Sequence, residues 1–223
     1  MSAERDHVQG AMMNETANEA AKPYRITVVS AGVSDPSSTT RLGEAIARQA
    51  QRYLHGHGHR VEIGQVELRG LAGDIARASV GDGISAGLQR AIDEVAASDG
   101  LVAASPIFKA SYSGLFKSFW DVTDTDVVLD MPVALTATGG SERHALMPDT
   151  DMRSLFAFLR AVPVPTSLVA AGKDWDSEGL IAHEERAGEE LGALILLGAR
   201  RAMLEAVGAG YRHGVGMAHA SGD

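Results

Sequence analysis

The chain has 223 residues and a formal net charge of −9, enough length for one α/β domain with a sizeable core and the wrong charge for nucleic acid or an anionic membrane as partner. It contains no cysteine, which excludes disulfides, thiol nucleophiles and thiolate metal sites and fits the cytoplasm as its expected location. With 45% apolar residues and a mean hydropathy of −0.03 it falls in the globular class, and its longest strongly apolar run, residues 191–197, is too short to span a bilayer.

Residues 1–22 hold no continuous apolar segment, so they do not read as a secretory leader. The expected organisation is a disordered extension over 1–23, one domain over 24–206, and a flexible Gly/His-rich tail over 207–223. A β-branched strand is predicted over 25–30, then a helix capped by Ser38 or Thr39 and running to about residue 54, with Leu42, Ile46, Ala50 and Tyr53 at helical spacing. The run His55-Gly-His-Gly-His59 ends that helix and reads as a solvated turn, since no Cys or nearby carboxylate completes a metal set. Residues 60–66 alternate like a strand near the sheet edge. Residues 70–83 read as a long connection, partly helical around 74–78, and 84–97 as a helix. A short buried strand over 101–104 and a helix over 114–122 follow. Residues 131–137 form the fourth strand, 138–148 a loop, 149–161 a helix, 164–171 the fifth strand and 178–205 the last helix.

Strands that alternate with helices imply a parallel sheet with helices on both faces. Five such units fit the flavodoxin-like doubly wound order 2-1-3-4-5, whose ligands bind outside the carboxyl ends of the strands. Gly32 stands alone after the first strand, so the Gly-x-Gly-x-x-Gly of a dinucleotide fold is missing, as is a Walker motif. Instead Ser37, Ser38, Thr39 and Thr40 stand at a helix start. Free N–H groups and the helix dipole make such a start an anion site, and four hydroxyls exceed what one cap requires. Arg41 can add a charge-assisted contact.

The second loop reads Ala104-Ser-Pro-Ile-Phe-Lys-Ala-Ser-Tyr-Ser-Gly-Leu-Phe-Lys117, and the third Ala137-Thr-Gly-Gly140 followed by Arg143-His144-Ala145-Leu146. These segments resemble the two isoalloxazine loops of NAD(P)H-dependent FMN reductases, with Ser37 to Thr40 in the place of their phosphate loop. The resemblance spans about residues 25–199 and is nearest to reductases that supply luciferase-like or alkanesulfonate-type monooxygenases. It implies FMN and NAD(P)H as cofactors, a flavin-dependent monooxygenase as possible acceptor, and a homodimer or homotetramer. The flavin-contacting residues it implies are Ser37, Ser38, Thr39, Thr40, Ser105, Pro106, Ile107, Phe108, Lys109, Tyr112, Ser113, Thr138, Gly139 and Gly140, with no catalytic side chain and no metal. Gly139 and Gly140 allow close backbone approach, and donors near the pyrimidine edge would stabilise charge developing on reduction.

Phe116 reads as a core aromatic, Lys109 as a solvated charge whose backbone faces the flavin, and Lys117, Phe119 and Trp120 as helix surface and subunit contact. His144 falls beside the third loop. Two departures from the resemblance stand out. Many relatives carry Gly-Ser-x-Arg in the first loop, whereas Gly32-Val-Ser-Asp35 lacks that Arg. Some monooxygenase-partnered relatives have a Tyr inserted in the helix after the Gly-Gly loop, associated with releasable flavin; residues 149–155 have none. An FMN-dependent azo- or quinone reductase and a flavodoxin-type electron carrier are the alternatives.

Overall fold

The computed structural model describes residues 22–207. The extension and tail expected at the two ends therefore lie almost wholly outside the described residues. Strands β1 (Tyr24–Ser30), β2 (Val61–Glu67) and β3 (Gly100–Phe108) pair in parallel, with β1 between the other two. β5 (Pro132–Gly139) adds to the far side of β3, and β6 (Val162–Pro163) and β7 (Leu168–Ala171) both pair with the outer edge of β5. Counted as positions across the sheet, this is the expected order 2-1-3-4-5, with the fifth position split between β6 and β7. β4 (Ser111–Tyr112) is a short antiparallel arm folded back on β3.

The central strands are covered on both faces, so they read as continuous apolar runs rather than alternating ones. Ile26, Val28, Val29, Leu101, Val102 and Ala103 are all fully buried. β2, at the edge, buries Val61 and Val66 and exposes Glu62 and Gln65, which explains its alternation.

Helix α1 (Ser38–Gly56) and helix α6 (Glu178–Leu196) cover one face. They approach closely because Gly188 has no side chain: a Cβ there would stand 2.3 Å from Gln49 Cβ and 2.8 Å from both Ala50 N and Ile46 O. The other face is covered by α2 (Leu68–Ser79), α3 (Ala86–Ala96), α4 (Gly114–Asp121) and α5 (Arg153–Phe158). Its centre is an aromatic cluster in which Trp120 meets Phe116, Phe119 and Phe156 at ring separations of 5.0–6.0 Å.

Several sequence expectations are corrected. The long connection over 70–83 is for the most part helix α2, whose Leu68, Leu71 and Ile75 face the core while Gly70 and Gly73 dilute its pattern. Phe119 and Trp120 are core residues, 0% and 2% exposed, not helix surface; Lys117 stays at the surface in an ion pair with Asp121. The fifth strand is interrupted around Pro165, which has no N–H to give the ladder. The gap is bridged by side chains: Glu190 accepts from Thr166 N and Oγ1 at 2.7 and 2.9 Å, and Arg153 donates to Val164 O and Pro165 O. The last helix breaks at Gly198, which has φ +64°, and restarts as α7 (Ala199–Val207).

The helix expected over 149–161 opens with a π turn, Pro148–Met152, before α5 begins. Met147 and Met152, five residues apart, are both buried there. That spacing matches a π turn, not an α turn.

Candidate flavin site

All three loops singled out in the sequence lie at the carboxyl ends of the parallel strands. β1 delivers Ser30 to the first loop, beside the β3 residue Ala104, to which Ala31 N donates at 3.0 Å. Ser37 ends the loop as the N-cap of α1, its Oγ accepting from Thr40 N at 3.2 Å. The helix geometry leaves the N–H groups of Ser38 and Thr39 without intrahelical acceptors, so the backbone part of an anion site is present. The hydroxyls are less free than their sequence suggests. Thr40 Oγ1 bonds Ser30 Oγ at 2.9 Å, and Thr39 Oγ1 bonds Thr138 Oγ1 at 2.7 Å, all of them buried. Ser38 is exposed.

What looked like a loop after a short third strand is a continuation of β3 through Ser105, Pro106, Ile107 and Phe108, followed by a tight hairpin into β4. Lys109 and Ala110 occupy the turn with φ of 52° and 75°. Positive φ at both central positions is the two-residue hairpin geometry that usually selects Asn-Gly; ordinary residues held there cost about 1–3 kcal/mol each. Ser105 is fully buried and works within the chain: its Oγ accepts Ser113 N at 2.9 Å and donates to Pro106 O at 3.0 Å. Ser113 caps α4 through Phe116 N at 3.2 Å. Pro106 is buried beside Thr138 in the sheet register. Ile107 and Tyr112 are half-buried opposite one another, while Phe108 and Lys109 are exposed at the hairpin tip. The Tyr112 ring stands 5.7 Å from that of Phe116, which is fully buried as expected.

β5 runs through Thr138 to Gly139, longer than the sequence indicated, and Gly140 follows at the surface. A Cβ on Gly139 would lie 3.2 Å from Ile107 Cδ1, whereas one on Gly140 would meet no protein atom within 4 Å. Beside Gly140 the chain thus leaves room that a flat ring can use. His144 ends a short 3₁₀ turn, Glu142–His144, and is half-buried.

A fourth segment, after β7, was not singled out in the sequence. Arg41 turns toward it, with its Nη2 2.6 Å from Asp176 Oδ1 and its guanidinium 4.9 Å from the Trp175 ring. The cation expected to help hold an anion is therefore engaged elsewhere. Glu184 of α6, close to Arg41, has its carboxyl pushed above the usual range by burial, against the pull of Arg41, Arg48 and Arg52. The one sequence signal for this segment was an aromatic residue shortly beyond a strand's carboxyl end. The histidine turn lies at the opposite end of the sheet, between α1 and β2, where His57 Nδ1 pairs with Tyr53 O at 2.8 Å.

The site therefore offers a helix N-terminus, a backbone-lined wall with apolar side chains, and an open glycine edge. That combination suits a planar, partly apolar ring carrying a phosphate. The family model described as NADPH-dependent FMN reductase matches residues 24–176.

The chain belongs to the NADPH-dependent FMN reductase family. It is 34% identical over 180 residues to an FMN reductase (NADPH) of Pseudomonas aeruginosa, covering 81% of this chain and 91% of that one. An NADH-dependent FMN reductase, SfnF, of Pseudomonas fluorescens is 36% identical over 182 residues, covering 82% and 91%. Among solved structures, an oxidoreductase of Corynebacterium diphtheriae superposes with a TM-score of 0.76 at 37% identity, covering 79% of this chain and 99% of that one. That oxidoreductase thus shares the doubly wound fold seen here.

Proposed function

We propose that this reductase binds FMN at the carboxyl ends of β1, β3 and β5 and passes hydride to it from NADH or NADPH. The observation that carries the reading is the convergence of three loops on one rim. The Thr39–Thr138 bond joins the first to the third, and the Pro106–Thr138 register joins the second to the third. The N–H groups at the start of α1 receive the phosphate. The 107–112 hairpin backbone and the Gly139–Gly140 edge hold the ring. Bound FMN supplies the hydride acceptor; the chain's own residues orient the two rings and shield them from water. Thr39, Thr40, Thr138, Ser105 and Ser113 act by shaping these loops, because their hydroxyls are engaged within the protein.

Reduced flavin, or its electrons, then passes to a partner monooxygenase, in keeping with the family resemblance of the second and third loops. The functional unit is a homo-oligomer in the cytoplasm; exposed Phe158 on α5 and exposed Leu146 offer apolar surface for self-association. Among the described residues no helix is long and apolar enough to cross a membrane. The test is to follow nicotinamide oxidation with purified protein, varying NADH, NADPH and FMN together. Oxidation that depends on free FMN supports the reading. Oxidation that requires a quinone or azo dye favours the second enzyme activity, and no oxidation with any flavin leaves an electron carrier.

A further inference from the structure

The tip of the hairpin that walls the proposed ring site has little to hold it. β4 is two residues long and meets β3 through two pairs, Ile107 with Tyr112 and Phe108 with Ser111. Its turn keeps Lys109 and Ala110 at positive φ, and Phe108, Lys109 and Ala110 are all exposed. A two-stranded hairpin of this size is not stable by itself, and a segment with so few buried contacts opens readily.

Ile107 and Tyr112 rest against the core, and among the described residues one side chain from outside the hairpin hydrogen-bonds to its β4 arm. Ser111 Oγ donates a short hydrogen bond to Asp151 Oδ2. The other carboxylate oxygen of Asp151 lies 2.9 Å from Thr150 Oγ1, whose single proton is shared with Leu146 O at 3.1 Å. Asp151 lies inside the π turn Pro148–Met152. Met147 and Met152 anchor that turn in the core, and the extra residue of a π turn leaves Asp151 between them on the side of the hairpin. The tether thus runs from the core, through a carboxylate, to the hairpin arm facing Ile107 and Phe108.

We propose that Asp151 is a positioning residue for flavin binding, holding the 108–112 hairpin in place through the Ser111 hydroxyl. The inference rests on the reading of that hairpin as a wall of the flavin site. A hydrogen bond to a charged acceptor is stronger than a neutral one, so losing this tether shows first as weaker capture of flavin.

The experiment compares Asp151→Ala, Asp151→Asn, Ser111→Ala and the Asp151→Ala/Ser111→Ala pair, with Gly140→Val as a control on the site. Asp151→Ala and Ser111→Ala each weaken FMN affinity about tenfold, raising KM for FMN while kcat changes little. The double variant loses no more than either single one, as expected for two ends of one bond. Asp151→Asn, whose amide oxygen still accepts, keeps most of the affinity. Amide hydrogen exchange over 108–112 quickens in Asp151→Ala while β1 and β3 stay protected. Additive losses, an Asn variant as weak as the Ala variant, or unchanged FMN affinity in Asp151→Ala alongside a strong loss in Gly140→Val would overturn the proposal. Unchanged affinity in Gly140→Val would instead overturn the site reading beneath it, while the exchange measurement would still report on the tether.

Discussion

Thr39 and Thr138, 99 residues apart in the chain, share a buried hydroxyl–hydroxyl hydrogen bond of 2.7 Å. It fastens the first turn of α1 to the end of β5, and so fixes the distance between the helix N-terminus and the glycine edge. Thr39→Val should leave the Thr138 hydroxyl buried without that partner and cost about 1–3 kcal/mol of stability. Thr39→Val with Thr138→Val should cost less than the two singles added together, measured by urea unfolding. On the ligand side, Thr39→Ala with Thr40→Ala loosens the loop that positions the N–H groups at the start of α1, so it should weaken FMN more than riboflavin; equal losses would show that these hydroxyls do not hold the phosphate-binding backbone in place.

Gly140→Val separates ligand space from protein space. No protein atom lies within 4 Å of a Cβ at this position, so thermal stability should stay within about 0.5 kcal/mol of the parent. FMN affinity should fall at least tenfold, read by titration. At Gly139 the same change would also press on Ile107 Cδ1, 3.2 Å away, and mix the two effects.

Gly188→Ala tests the contact between α1 and α6. Alanine would gain about 1 kcal/mol in helix propensity. The new Cβ, however, would stand 2.8 Å from the backbone atoms Ala50 N and Ile46 O, which cannot swing aside. Overpacking of this kind costs about 1–3 kcal/mol, so the net change should be destabilising, with FMN affinity unaffected in the folded fraction.

Trp120 Nε1 is buried with no hydrogen-bond partner among the described residues. Trp120→Phe removes that donor and recovers part of a penalty of about 1–3 kcal/mol, set against a small cavity. Its net effect on stability should stay within about 1 kcal/mol, whereas Phe156→Ala in the same cluster should cost about 3–5 kcal/mol. A large loss in Trp120→Phe would show that the indole is satisfied in solution.

The carboxyl of Glu184 is raised by burial, so its ionised form is disfavoured in the folded state. The cost is fully present above the folded pKa, fades as pH falls from there towards the ordinary carboxylate value near about 4, and is gone below it. Glu184→Gln should therefore melt higher than the parent at pH 7, with the gain shrinking towards pH 4. A gain that grows on acidification would contradict the sign.

Much of the architecture was open to reading from local pattern. Ile26, Val28 and Val29 announced a buried parallel strand, and Pro106 and Gly139–Gly140 the ligand end of the sheet; the hydroxyl run announced a helix start, although its cap is Ser37 and not Ser38 or Thr39. α2 escaped notice because Gly70 and Gly73 interrupt its apolar stripe, and Trp120 was misplaced because one amphipathic turn does not reveal how deeply a helix sinks. The hairpin at Lys109–Ala110 was read as a loop because neither residue favours positive φ; it is held there by the pairing of Ser111 and Tyr112 with β3.

The sequence by itself determined the doubly wound class and the succession of strands and helices along the chain, since these follow from hydrophobic period, caps and turn residues within short windows; the three candidate loops stood out through their resemblance to those of FMN reductases. Only the tertiary structure decided how the site's polar atoms are used. Thr39 bonds Thr138, Ser105 bonds Ser113, Ser111 bonds Asp151 and Arg41 bonds Asp176. Apart from Ser105 and Ser113, which meet across the hairpin, these partners lie far apart in the chain, and a hydrogen bond between them depends on sheet register and helix packing that no local pattern encodes.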